Sequence, residues 1–76
     1  MMQRYKNLQR NSGVLAFELG DDFIKVEFED HGVYLYTAES AGHEKIEAMK
    51  KRALAGKGLS TFISQHIKNQ YASKIK

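Results

Sequence analysis

The spacing of apolar residues changes period near Ser40, and that change governs what the chain can become. Before it, apolar and polar side chains alternate: Ile24, Val26 and Phe28 share one face of a strand while Lys25 and Glu27 take the other. After it, Ile46, Met49, Ala53 and Leu54 recur at helical spacing, and so do Leu59, Phe62, Ile63, His66, Ile67, Gln70 and Tyr71. Strands followed by helices describe an α+β domain.

Punctuation between these runs supplies the connections. Gly20-Asp21-Asp22 separates a strand over Val14–Leu19 from one over Phe23–Phe28, and Glu29-Asp30-His31-Gly32 leads into a third over Val33–Ala38. Ser40 is placed to cap the first helix, Gly56 to end it in the left-handed conformation, and Gly56-Lys57-Gly58 to form the turn between helices. The expected fold is a three-stranded antiparallel β-meander followed by two α-helices packed on one sheet face. Residues 13–76 form that single domain, with 1–12 as a flexible N-terminal segment and the last three residues also mobile.

With 76 residues and no Cys, the chain must rely on one small apolar core, since neither a disulfide nor a thiolate metal site can brace it. Three scattered His do not supply zinc spacing, and His43-Glu44 lacks a second His four positions on. No apolar run is long enough for a bilayer and the start lacks a signal-peptide core, so the reading is cytoplasmic, with no membrane partner. No Gly-rich phosphate loop stands before a helix, and no nucleophile, base and acid set is visible around Ser60, Ser64 or Ser73. The expectation is a non-enzymatic protein with no cofactor, no metal and no small-molecule substrate.

Charge carries the functional signal. The net charge is +3, yet residues 48–76 hold seven basic residues and no acidic one, residues 11–47 hold nine acidic against two Lys, and the first ten add three bases. A basic helical layer facing away from acidic strands would attract a polyanion. Basic groups late in a helix also favour the dipole, which accounts for Lys50-Lys51-Arg52 without a partner. Seven bases with no interspersed acid nonetheless forgo helix-stabilising pairs, so contact with something is the preferred reading. Mutual attraction of the two halves, within the fold or between copies, is the competing explanation.

Two further patterns bear on a site. Lys50, His66 and Gln70 fall inside the apolar arcs of their helices, so each is expected to point toward the core: either Lys50 reaches the edge while His66 and Gln70 hydrogen-bond inside, or Lys50 and His66 line a cleft for an anion. Tyr34-Leu35-Tyr36 sets two phenol rings on one strand face, as single-strand-binding sheets do. The same rings are equally suited to lie under the helices, and that core role is preferred because amphipathic helices must first be covered.

Several segments taken in order resemble the KTSC domain, a C-terminal domain of some lysyl-tRNA synthetases that also occurs as a free-standing small bacterial protein. They are Asn11-Ser12-Gly13-Val14, Val26-Glu27-Phe28, Tyr34-Leu35-Tyr36, Met49-Lys50, Gly56-Lys57-Gly58-Leu59 and His66-Ile67-Lys68-Asn69-Gln70-Tyr71, spanning residues 11–74. The function of that family is not established, and RNA binding is the role the resemblance implies. Leu35 replaces the polar residue common between the tyrosines, and the Val-Pro that often follows is missing, so only the tyrosines carry over. Taken together, the expected function is RNA binding, to tRNA or single-stranded RNA, through Lys50, Lys51, Arg52, Lys57 and Lys68, with Tyr34 or Tyr36 stacking a base. The alternative is a protein-interaction or adaptor domain, including self-association.

Overall fold

Three strand segments pair antiparallel as the sequence predicts, but two more strands join them. In a computed structural model, residues 2–6, 13–67 and 69–76 are described. The strands are β1 (Gln3–Arg4), β2 (Val14–Leu19), β3 (Phe23–Phe28), β4 (Val33–Thr37) and β5 (Ser73–Lys74). They form one antiparallel sheet in the order β1-β2-β3-β4-β5. The expected three-stranded meander is therefore a five-stranded sheet. Its two extra strands are two residues long and exposed, with no alternation of their own, and they exist because the edges of β2 and β4 offer free backbone groups. Residues 7–12 of the segment expected to be flexible lie outside the described residues; ahead of them, Tyr5 N–H donates to the Leu15 carbonyl at 2.8 Å.

The helical layer also differs from the expected pair. A one-turn helix α1 (Ala38–Ala41) precedes α2 (His43–Ala55), and α3 (Leu59–Phe62) continues as a π-helical segment over Ile63–Ile67. Thr37, not Ser40, caps the first of these: its hydroxyl accepts from Ser40 N–H at 3.1 Å while Ser40 Oγ accepts from Thr37 N–H at 3.0 Å. Gly42, at φ 95°, breaks α1 from α2. Gly56, at φ 78°, closes α2 in the left-handed region that the sequence requires there.

One inserted residue brings the strand side chains into agreement. Val14 pairs with Phe28 but Ala16 pairs with Glu27, so Leu15 sits in a bulge. The bulge shifts the parity of β2, which lets Val14 and Phe17 both face inward while Leu15 stays 37% exposed. Inward on the neighbouring strands lie Ile24, Val26 and Tyr36, and the helices place Ile46, Met49, Ala53, Leu59, Ile63 and Ile67 over them. Tyr5 completes this core. Leu54, counted into the α2 stripe from its spacing, is 54% exposed instead.

The π-helical segment explains why the second stripe faces differently from an α-helical reading. Its i→i+5 ladder turns each residue through a smaller angle than an α-helix does, so positions four apart align. Leu59, Ile63 and Ile67 are buried on that line, while His66 rotates to the exposed side and Gln70, beyond the helix, is exposed as well. The expectation that both point into the core is thereby corrected. Lys50 lies along the edge with its side chain 16% exposed, its Nζ 2.7 Å from the Asp21 carbonyl and 3.2 Å from Glu47 Oε2.

Candidate nucleic-acid interface

The corner between α2 and α3 gathers the basic groups. The C-terminal half of α2 presents Lys51 and Arg52, and the two left-handed glycines, Gly56 and Gly58, fold Lys57 back beside them. Together Lys51, Arg52, Ala55, Lys57 and Gly58 line an open recess of about 470 Å³. Among the described residues, Lys51, Arg52 and Lys57 have no carboxylate within ion-pair distance. Three cations sharing a recess without a counter-charge produce a local positive potential that the modest net charge conceals.

Arg52 is held in place rather than loose. Its guanidinium carbon stands 4.3 Å from the centroid of the Phe62 ring, and Nη1 donates to the Ala48 carbonyl at 3.2 Å. Phe62 also packs on the imidazole of His66, with centroids 4.9 Å apart and planes at 36°. A second recess of about 330 Å³ runs alongside, lined by Arg52, Phe62, His66, Thr61 and Gln65. The rotation of His66 away from the core therefore adds an imidazole ring to the basic corner, a member that helical spacing alone had assigned to the interior.

The remaining residues expected at the interface are elsewhere or engaged. Lys50 is tied to Glu47 and to the β2–β3 turn, so its ammonium is not available at the recess. Lys68 lies outside the described residues. Tyr36 is 2% exposed and belongs to the core, which removes its ring from any stacking surface. Burial, with the phenols of Tyr34 and Tyr71 adding to it, pushes the Tyr36 hydroxyl up to about 12.

Tyr34 is part-buried and takes a different place, on the wall of an open cleft of about 360 Å³ at the β4–β5 side of the sheet. Phe28, Tyr36 and Tyr71 supply the other rings, and Asp30 and Asn69 the polar groups; Ile63 also contributes to the lining. The rings meet edge to face: Phe28 and Tyr34 at 80°, Tyr34 and Tyr71 at 71°, Tyr36 and Tyr71 at 88°. Asp30 Oδ1 accepts from Gly32 N–H at 2.9 Å, which fixes the carboxylate on the β3–β4 hairpin.

Comparison with protein-family models, with curated proteins and with solved structures finds no match to this chain. Among the described residues, no group of three His, Asp or Glu is close enough to hold a metal ion, and no helix is long and apolar enough to cross a membrane.

Proposed function

We propose that the protein is a small non-enzymatic RNA-binding module whose α2–α3 corner contacts phosphates. One observation carries the reading: Lys51, Arg52 and Lys57 converge on a single recess and, among the described residues, no carboxylate is paired to any of them. Arginine held on an aromatic face keeps its planar fork pre-oriented, which suits the bidentate recognition of phosphate oxygens. Phe62 and His66 beside it offer ring surface on which an unpaired base could lie, so the adjoining recess suits a flexible single strand or a tRNA loop better than a rigid duplex. The resemblance to a synthetase-associated domain favours RNA over DNA in the same direction.

The α2 sequence supplies the charge separation that this reading needs. Glu44 and Glu47 occupy its first half, with Lys45 between them, and Lys50, Lys51 and Arg52 its second, so the cationic cluster sits toward the helix end that favours it. It leaves Lys51 exposed at the corner, with Arg52 part-buried against Phe62 beside it.

Titration of labelled tRNA and single-stranded RNA at two salt concentrations tests the reading. Three phosphate contacts predict a slope of log affinity against log salt of about −2 on a single strand. Lys51→Glu together with Lys57→Glu should abolish binding while the circular dichroism spectrum is retained. Unchanged affinity in that double variant, or binding only to a protein that survives nuclease treatment, would replace this function with a protein-interaction role.

A further inference from the structure

The cleft between β4, the β3–β4 hairpin and residues 69–71 shares no lining residue with the basic corner, and its chemistry is of the opposite kind. We infer that it is a binding site for an alkylated ammonium group, enclosed by Tyr34, Tyr71 and Phe28 with Asp30 as the counter-charge.

Ring geometry is the first support. A flat ligand held between two rings needs their faces nearly parallel, whereas the contacting ring pairs here stand 71° to 88° apart. Walls at right angles form the corner of a box, which matches a compact, roughly spherical head group. The negative faces of such rings attract a cation, most strongly one whose charge is spread over methyl groups and is therefore weakly hydrated.

Charge is the second. The hairpin at the cleft carries Glu29 and Asp30, and Asp30 lines the cleft itself. A phosphate backbone would be repelled there, while a cation would be drawn in. One cation is already attracted to this wall: Lys74 Nζ, on β5, stands 5.6 Å from the centroid of the Tyr34 ring.

Rigidity is the third. Tyr36 is 2% exposed and Ile63 7% exposed, so two of the lining residues belong to the packed core and need no ordering when a ligand arrives. Tyr71, at 37% exposed, is the wall with freedom to adjust.

Choline is the probe, with 3,3-dimethylbutan-1-ol as its uncharged isostere and adenosine as the flat alternative, each followed by amide and ring shifts of the intact protein. Choline should saturate, moving Tyr34, Tyr71, Asp30 and Asn69, and should bind about tenfold more tightly than the isostere. Asp30→Asn, which keeps an acceptor for the Gly32 amide, and Tyr71→Leu, at a partly exposed ring, should each weaken choline several-fold. Lys74→Ala, which removes the competing ammonium, should maintain or raise the affinity. A peptide bearing trimethylated lysine presents the same head group from a side chain; tighter binding than choline assigns the ligand to a protein, and equal binding assigns it to a free small molecule. No saturation by choline or by that peptide, equal binding of the isostere, or preference for adenosine would overturn the inference.

Discussion

The Leu59 amide donates a hydrogen bond to the Tyr5 hydroxyl at 3.3 Å, across 54 positions of sequence. Leu59 opens α3 after Gly58, which has no side chain to cap a helix, so the phenol supplies the missing acceptor. Edge strand β1 and the second half of the helical layer are thereby joined through a buried contact. Tyr5→Phe should cost about 1 to 2 kcal/mol, because the Leu59 amide would then be buried without a partner. Chemical denaturation checks the loss, and faster exchange of the Leu59 amide locates it.

Gly56, buried at the C-terminal end of α2, should resist replacement strongly. Its φ of 78° disfavours any Cβ, and a Cβ placed there would stand 2.6 Å from that of Lys6. Gly56→Ala is expected to destabilise by more than about 1 kcal/mol, and to displace Lys6 from the α2 terminus. A shift in the denaturation midpoint, with altered Lys6 resonances, would register both effects.

Lys50 and Lys51 are adjacent but should separate stability from binding. Lys50→Ala removes the contacts to Asp21 and Glu47 and should lower stability by about 1 kcal/mol, with RNA affinity and its salt slope unchanged. Lys51→Ala should do the reverse, leaving the midpoint within about 0.5 kcal/mol and reducing the slope by about 0.7. Identical behaviour of the two variants would mean that the recess is not where phosphate lands.

Alkaline pH should reach the core through Tyr36. Its hydroxyl, pushed up to about 12, holds its proton more tightly in the folded chain than in the unfolded one, where the ordinary value is 10.0. The stability this contributes is fully present below about pH 10 and is lost as pH rises through about 12. Denaturation midpoints followed from pH 9 upward should fall across that window, and Tyr36→Phe should flatten the fall. An undiminished decline in the variant would assign the alkaline transition to other groups.

How far the fold could be read depended on whether an element announces itself by its own side chains. β3 alternates, and turn signals set it apart from the apolar runs of β2 and β4, so their pairing was legible, as was the stop at Gly56. Gln3–Arg4 and Ser73–Lys74 carry no such pattern, because what recruits them is the open backbone of their neighbours. Helix α1 was missed for a related reason: Ala38 continues an apolar run, and only the reciprocal bonds of Thr37 and Ser40 convert it to a helical turn. At the candidate interface, Lys51, Arg52 and Lys57 were visible as a cluster from charge alone. His66 was misplaced because a count at 3.6 residues per turn does not apply to a π-helical ladder, and Tyr36 was buried by the helices that the same sequence required.

The strand order also couples the far edge of the sheet to the helices. β1 to β4 follow one another in sequence as well as in space, whereas β5 follows the whole helical layer. Its pairing, through Ala72 to Leu35 and Ile75 to Val33, acts as a latch that ties the end of that layer back to β4. Whatever loosens α2 or α3 should release that latch, so the far edge of the sheet reports on the state of the basic corner without touching it.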